Sequence, residues 1–427
     1  MIGYLENRLS FLDKLYSPSN KEVYTPLALV NEMLDKLPEE VWDDTTLKWL
    51  NPAVKNGVFL GSIIFRLLNN YIEKGIFNTE QEAYNHIIQH QIYGYALSKG
   101  ALRTANKLIY GSSKYNGNII YNNILEEQID MKFDVVIGNP PYQDPTTKKV
   151  QGSRKNPRKL WHDFIKKSNE ISKYGGYISL ITPPNFTQPT NKSSKEVMSK
   201  KDLYINMSTD IRKKVGVGIA MSYFIYKNED NLEKKDVSFF DGKNNFNIPY
   251  VYGDMIALID FSRIDQQICH KVLNNDLKKY DFKSNQKEIK SFKHLPIVKD
   301  NVYKYPIFDF QNIKYSDKKP SDINKPKVII SEFLSRRGGG YLLPNIYLDK
   351  HGEYGCWYKK KGGYIDFNSK NEAENIFHYL RYSNLMNFVF KHFSINSFMQ
   401  SKVLESITVI DPTKKWTDQE LYEYFNL

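Results

Sequence analysis

A chain of 427 residues with 41% hydrophobic side chains has the apolar content of a globular protein, which excludes wholesale disorder, and its length suits about two domains. Lysine and arginine number 60 against 48 aspartates and glutamates, a net charge of +12 that favours a polyanionic partner, because each neutralised phosphate releases a counterion. Cys269 and Cys356 are the only cysteines, too few for a disulfide framework or a Cys-based zinc site. The histidines have no metal-ligand spacing, so no metal is expected. The first eight residues, Met1 to Arg8, lack a basic flank and apolar run, and no stretch of 18 apolar residues occurs. The expectation is a soluble, cytoplasmic protein with no membrane partner.

From about residue 20 to about 230, short apolar runs alternate with helical patterns, as in βα units that feed a mostly parallel sheet. Leu47 to Leu50 reads as the first strand, Asn51 to Gly57 as a tight turn, and Val58, Phe59, Leu60, Ile63, Ile64, Leu67, Leu68 and Tyr71 as one helical face. Further strands are expected at Gln91 to Tyr95, Asn118 to Tyr121, Phe133 to Ile137, Gly176 to Ile181 and Ala220 to Tyr226. Helices are expected at Ala101 to Tyr110 and Leu160 to Ile171. The fold class is therefore α/β, a Rossmann-like doubly wound sheet over residues 1–234. From about residue 235 glycine pairs punctuate short aromatic and β-branched runs, which predicts a second, mixed or β-rich domain over 235–427. Within it a helix is expected at Glu372 to Phe390, and Thr417-Asp418-Gln419-Glu420 forms a capping box that starts a terminal helix.

The sharpest chemical signal is Phe133-Asp134-Val135-Val136-Ile137-Gly138-Asn139-Pro140-Pro141-Tyr142. Two successive prolines cannot continue a ladder, so the strand ends in a rigid loop at its carboxyl edge, where open α/β sheets bind ligands. The amide oxygen of Asn139 and the carbonyl of Pro140 can both accept from an exocyclic amino group, with Pro141 stiffening the loop, and Tyr142 offers a flat face for an aromatic ring. Stacking of this kind contributes about 1–3 kcal/mol per base.

These residues make the chain resemble the S-adenosylmethionine-dependent amino-group methyltransferases, whose catalytic tetrapeptide is Asn/Asp-Pro-Pro-aromatic. Asn139-Pro140-Pro141-Tyr142 implies methylation of adenine N6 in DNA. Asn51-Pro52-Ala53-Val54-Lys55-Asn56-Gly57 stands where the family has its cofactor loop, and Tyr24-Thr25-Pro26 where it has the element that covers the cofactor. That order, with a long C-terminal region, resembles the gamma group, above all methylase components of type II restriction-modification systems. Some of these share the lysine in the cofactor loop, the Ile92-Tyr93-Gly94-Tyr95-Ala96 strand and a Trp416-Thr417-Asp418 ending. Implied cofactor contacts are Tyr24, Thr25, Pro26, Asn51, Pro52, Ala53, Gly57 and Asn123. The chain departs from the family at Asn51 and Lys55, which replace an acid and a glycine. It also departs at Ala96-Leu97-Ser98 and Asn122-Asn123, where acids usually meet the ribose and adenine.

Lys148, Lys149, Arg154, Lys155, Arg158, Lys159, Lys166 and Lys167 follow the catalytic loop and would rim its mouth with positive charge. Arg336 and Arg337 before a glycine run, and Lys359 and Lys360 before another, are candidate DNA contacts in the second domain. Tyr223 matches the position of the family's aromatic that packs on an extruded base. The reading is a site-specific adenine-N6 DNA methyltransferase with double-stranded DNA as partner, bound to the nucleoid, and a separate restriction endonuclease as a candidate second partner. Two alternatives stand: a catalytically weakened methyltransferase fold that recognises DNA, and a methyltransferase acting on RNA or a protein glutamine.

Overall fold

The computed structural model describes residues 1–14, 24–115, 117–144, 158–254, 256, 263–274, 277–283, 294–308, 313–336, 342–356, 362–395, 398–399 and 401–427. The chain divides into two compact units, Met1–Gly253 and Asp254–Leu427.

The first unit opens with helices α1 (Ile2–Lys14) and α2 (Leu27–Leu34), then strand β1 (Trp49–Val54) and helix α3 (Val58–Glu73). Helix α4 (Glu80–His86), β2 (Ile92–Ala96), α5 (Lys99–Tyr110), β3 (Ile119–Tyr121) and β4 (Phe133–Gly138) follow. Next come α6 (Trp161–Ile171), β5 (Ser172–Thr182), α7 (Ser194–Met198), β6 (Lys200–Asn206), α8 (Asp210–Lys214) and β7 (Ser222–Asp230). The unit closes with β8 (Lys235–Phe240) and β9 (Asn245–Tyr250).

All nine strands form one sheet in the order β3-β2-β1-β4-β5-β7-β6-β8-β9. The five from β3 to β5 are parallel, β7 runs antiparallel to both neighbours, and β8 returns parallel to β6. This is the doubly wound, Rossmann-like sheet expected from the alternation of runs. Strand β4 is central and buried along almost its whole length, which is why Phe133 to Gly138 is a continuous apolar run rather than an alternating one. Helix α3 buries Val58, Phe59, Leu60, Ile63, Ile64, Leu67, Leu68 and Tyr71, the face its spacing predicted. At about 1.5–3 kcal/mol for each large apolar side chain taken from water, that face is a major part of the core.

Three expectations need correction. Strand β1 does not stop at Leu50 but continues through Asn51, Pro52 and Ala53 to Val54. Proline is tolerated there because the ladder to β2 shifts register between Asn51 and Val54, and pairing to β4 is registered only at Trp49 and Leu50, so the missing N–H breaks no ladder bond. Strand β6 was not expected at all. Its opening Lys200-Lys201-Asp202 is polar, and Lys200 and Lys201 are neutralised by Asp230 and Glu229 on the neighbouring β7. Sequence pattern places the segment from 235 in a second domain, yet Tyr204↔Ser238 through Asn206↔Phe240 pair β8 with β6, so the first compact unit runs to Gly253.

A polar node ties α2 to this half of the sheet. Glu32 accepts hydrogen bonds from Asn206 Nδ2 at 2.6 Å and Tyr223 Oη at 3.0 Å, and its other oxygen pairs with Lys214 at 3.1 Å. On α6, His162 lies on Trp161 with ring centroids 3.6 Å apart, and Nδ1 is 2.7 Å from Ser193 Oγ.

The second unit is mixed. It begins with α9 (Arg263–Leu273), β10 (Tyr305–Phe308), β11 (Ile313–Ser316), β12 (Lys327–Arg336), β13 (Leu342–Asp349), β14 (Gly355–Cys356) and β15 (Gly362–Asp366). Strand β12 pairs antiparallel with both β13 and β15, and β10 lies between β11 and β14. The helix expected over Glu372 to Phe390 is two helices, α10 (Lys370–Tyr382) and α11 (Asn384–His392). Ser383 separates them: its backbone is extended, its Oγ donates to Tyr379 O, and the same oxygen caps Met386 N. The Thr417 capping box forms at the start of the terminal helix.

Inside this unit Lys327 is fully buried. Its ammonium donates to Asp322 Oδ2 at 3.0 Å and Tyr354 O at 2.7 Å, with Asp349 Oδ2 at 3.7 Å. Replacing Lys327 by Met should destabilise the protein by about 3–5 kcal/mol, since Asp322 is then a buried charge without its counter-ion. Urea unfolding checks this, and an unchanged midpoint would refute the brace.

Burial, reinforced by Lys192 and Lys159, pushes the His162 pKa down from 6.5 to about 4. The folded state therefore binds the proton less well than the unfolded chain, so His162 costs nothing above pH 6.5 and removes stability progressively as the pH falls from 6.5 towards about 4. His162→Gln should lose less stability across that window than the wild type when thermal melts are compared at pH 7 and pH 4.5.

Candidate active site

The site grows out of the sheet's switch point. From β1 the chain moves outward to β2 on one side, while β4 lies on the other, so the carboxyl ends of β1 and β4 open side by side. The first feeds Lys55-Asn56-Gly57 and helix α3; the second feeds Asn139-Pro140-Pro141-Tyr142.

The two loops meet closely. At Gly138 a Cβ would fall 2.8 Å from Asn51 Oδ1 and 3.3 Å from Pro52 Cδ, so any larger residue would wedge the strands apart. Asn51 is 3% exposed, and its Oδ1 accepts the Ala53 N–H at 3.0 Å, an inward-turned role that an ionised carboxylate would fill only at a desolvation cost. Gly57 caps α3 with φ of 86°. A Cβ there would sit 3.1 Å from Ala105 Cα on α5, so the glycine is dictated by the turn and by helix packing. A larger side chain at Gly57 therefore clashes inside the protein before it can meet any ligand.

Asn139 is 2% exposed. Its amide is held at both ends: Nδ2 donates to Thr25 Oγ1 at 3.0 Å, and Oδ1 accepts from Tyr142 Oη at 2.5 Å. Thr25 is itself buried, and Pro26 after it caps α2 with its carbonyl accepting from Leu29 and Val30.

An open cavity of about 580 Å³ lies over this edge. Pro140, Pro141, Tyr142 and Gln143 form one wall and Ala53, Val54 and Lys55 another. Leu97, Ser98 and Ala101 come from the β2–α5 turn, and Val217, Gly218 and Ile219 from the segment before β7. A contiguous recess is lined by Thr25, Asn51, Ala53, Lys55, Asn56, Gly57 and Asn139. The volume and the apolar walls suit a nucleoside-sized ligand. Among the described residues the linings contain no aspartate or glutamate, and Lys55 is their one charged side chain.

Most expected site residues converge here: Thr25, Asn51, Ala53, Gly57 and the whole Asn139 to Tyr142 loop. Pro52 packs behind them on Gly138, and Tyr24 and Pro26 flank Thr25 without lining either cavity. Asn123 is not brought in; its side chain closes a local turn with Leu125 N and Glu126. Tyr223 is not available to stack on a base, because it is wholly buried and its hydroxyl is committed to Glu32. Lys148, Lys149, Arg154 and Lys155 lie outside the described residues, as do Arg337, Lys359 and Lys360, and Arg336 is described only as the last residue of β12. The segment carrying the first four is closed at its base by Asp144 N to Arg158 O at 2.9 Å and Leu160 N to Tyr142 O at 3.1 Å. Missed from sequence were the lining role of Ser98, noted above only as a departure from the family pattern, and the Val217 to Ile219 wall. Ser98 had a readable signal as the N-cap of α5, bonding Ala101 N at 3.0 Å; the Val217-Gly218-Ile219 wall has none.

Residues 29–217 match the family model of the Eco57I restriction-modification methylases. A protein of Mycoplasma pneumoniae described as an uncharacterized adenine-specific methylase is 24% identical over 328 residues, covering 58% of this chain and 72% of its own. Among solved structures, the ATP-dependent Type ISP restriction-modification enzyme LlaBIII bound to DNA is similar over 92% of this chain and 40% of its own, at 12% identity and a TM-score of 0.51. The M protein of the Type I restriction enzyme EcoKI is similar over 52% of this chain and 49% of its own, at 18% identity and a TM-score of 0.40. The chain therefore spans about half or less of these two solved proteins, and the LlaBIII likeness is one of fold.

Thr25→Val should leave the buried Asn139 Nδ2 without its acceptor and cost about 1–3 kcal/mol, while Thr25→Ser should stay near the wild type. Urea unfolding of both variants checks the contact, and a wild-type midpoint for Thr25→Val would contradict it.

Proposed function

From the match of residues 29–217 to the Eco57I restriction-modification methylases, we propose that this chain is a site-specific DNA methyltransferase that methylates adenine N6 with S-adenosylmethionine. The observation that carries the reading is the placement of Asn139-Pro140-Pro141-Tyr142 on the carboxyl edge of β4, beside the β1 loop and facing a cavity of about 580 Å³. The cavity is wide enough for the cofactor, and its Ala53, Leu97, Ser98 and Ile219 walls suit a nucleoside; when bound, S-adenosylmethionine supplies an electrophilic methyl group.

N6 of a paired adenine faces its partner base, so the adenine is extruded into the site at a cost of a few kcal/mol. Asn139 Oδ1 and the Pro140 carbonyl accept hydrogen bonds from the amino group and draw its lone pair out of conjugation. The amino group competes for Oδ1 with the Tyr142 hydroxyl that holds it in this structure. Tyr142 stacks the ring, and the two prolines before it, with the buried Thr25–Asn139 bond, fix the acceptors before the base arrives. Acceleration comes from positioning and electrostatics, with no covalent intermediate on the protein.

The residues from Asp254 onward form the target-recognition unit in this reading. Lys148, Lys149, Arg154 and Lys155, which follow the catalytic loop in sequence, bind phosphates in this reading. Arg336, Arg337, Lys359 and Lys360 act in recognition, and a separate restriction endonuclease acts on the same sequence. Among the described residues no helix is long and apolar enough to cross a membrane.

The experiment is methyl transfer from labelled cofactor to duplex DNA, RNA and protein, with long-read sequencing of DNA from cells expressing the chain. Adenine methylation at one motif is expected. Asn139→Ala and Tyr142→Ala should abolish it or cut it severely while leaving folding and DNA affinity largely intact; turnover near wild type in both would remove the assignment. Cofactor binding without any methyl transfer would favour the DNA-recognition alternative.

Neutralising Lys148, Lys149, Arg154 and Lys155 together should weaken cognate and random duplex alike and flatten the salt dependence. Loss of a guanine-reading arginine in the second unit should instead cost about 1–3 kcal/mol for the cognate site alone. Paired salt titrations distinguish the two, and the reverse pattern would exchange the roles of the two regions.

A further inference from the structure

We propose that Glu32 is a positioning residue for the methyl transfer: by tying α2 to β6, β7 and α8 it sets where Thr25 holds the Asn139 amide. The inference rests on the methyltransferase reading above, since it concerns how the Asn139 acceptor is aimed. Glu32 is half-buried on α2 and collects donors from three other elements. Oε1 accepts from Asn206 Nδ2 of β6 at 2.6 Å and from Tyr223 Oη of β7 at 3.0 Å, while Oε2 meets Lys214 Nζ of α8 at 3.1 Å. Asn206 is turned for this contact, because its Oδ1 accepts the Ser208 N–H at 2.9 Å and leaves Nδ2 to face Glu32. Hydrogen bonds to a carboxylate from three directions fix a helix in translation and rotation; apolar packing, which is non-directional, does not.

The tie runs from there to the cavity along two routes. Helix α2 begins at its Pro26 cap, directly after Thr25, whose Oγ1 holds Asn139 Nδ2 at 3.0 Å. Lys214 is the last residue of α8, and the chain closes after it on Gly216, at φ of 71°, with Gly216 N bonded to Lys213 O at 3.1 Å and Val217 N to Arg212 O at 3.0 Å. Val217, Gly218 and Ile219 then line the cavity that Tyr142 also lines. Asn139 is thereby aimed relative to another wall of its own site. Other polar anchors of α2 face α1 and α3: Asp13 accepts Leu27 N at 2.9 Å, and Arg66 pairs with Asp35 at 2.6 Å and bonds Asn31 O at 3.1 Å. With these and the buried Leu29, Val30, Met33 and Leu34 in place, α2 stays docked when Glu32 is replaced, and what changes is its stance against β6, β7 and α8.

The test compares the full chain with Glu32→Gln, Glu32→Leu, Thr25→Val and the last two combined, each below its own melting temperature. Two quantities are read: kcat and KM for methyl transfer to duplex DNA, and hydrogen exchange of the Asn139 side-chain amide in ligand-free protein carrying isotope-labelled asparagine. The amide signal is identified by its absence from Asn139→Asp. Glu32→Gln keeps an acceptor for Asn206 and Tyr223, so it should retain kcat and the protection of the Asn139 amide. Glu32→Leu should speed that exchange and lower kcat at least about tenfold, with a much smaller change in KM, because displacing a catalytic group by ~1 Å can cost on the order of a hundredfold. The combined variant should be no slower than the slower single one, since both act through the same contact. Losses of kcat that multiply in the combined variant would overturn the inference, as would an Asn139 amide equally protected in the wild type and Glu32→Leu. A wild type that transfers no methyl group to DNA would instead bring down the methyltransferase reading, while the exchange data still decide whether Glu32 holds Asn139.

Discussion

Everything at the candidate site depends on two parallel strands, β1 and β4, lying close enough for the loops beyond them to touch. The margin is the absence of a side chain at Gly138, where a single carbon would meet Asn51 Oδ1 at 2.8 Å. Because the gap is that narrow, the amide of Asn139 one residue later is delivered within hydrogen-bonding reach of Thr25, and the turn at Gly57 opens onto the same space. Parallel pairing aims both carboxyl ends the same way; close packing then determines how far apart they stand.

That geometry is held from two directions. From below, the apolar face of α3 and the continuous burial of β4 anchor the strand ends. From the side, Glu32 fastens α2 to β6, β7 and α8, and α2 is the helix whose cap, Pro26, follows Thr25. A polar residue that touches no part of the cavity thus helps to place one that does. The same node explains why Tyr223 belongs to the scaffold: the buried tyrosine's hydroxyl donates to the half-buried carboxylate of Glu32.

The first unit was legible because its signals are local. An apolar run ended by two prolines can be read in ten residues, and the face of α3 in sixteen. Expectations failed where neighbours in space override neighbours in sequence. Lys200-Lys201-Asp202 looks like a loop until Glu229 and Asp230 are known to face it, and Tyr223 resembles a base-stacking residue until Glu32 is known to reach it from α2. The domain boundary at 234 failed for a related reason: glycine and asparagine mark a hairpin turn between β8 and β9 as readily as they mark a linker.

The hairpin of β8 and β9 has a practical consequence for anyone who would cut or graft this protein. Strand β9 alternates buried and exposed residues and carries Pro249, features of a strand suited to the rim of a sheet. Strand β6, which the hairpin covers, ends in the buried residues Ile205 and Asn206 and would bare unpaired backbone groups to any passing strand. A catalytic fragment ended at 234 would carry a sticky edge; one ended at Gly253 would carry its own seal. Chimaeras that exchange the second unit therefore have a natural seam after the hairpin, not before it.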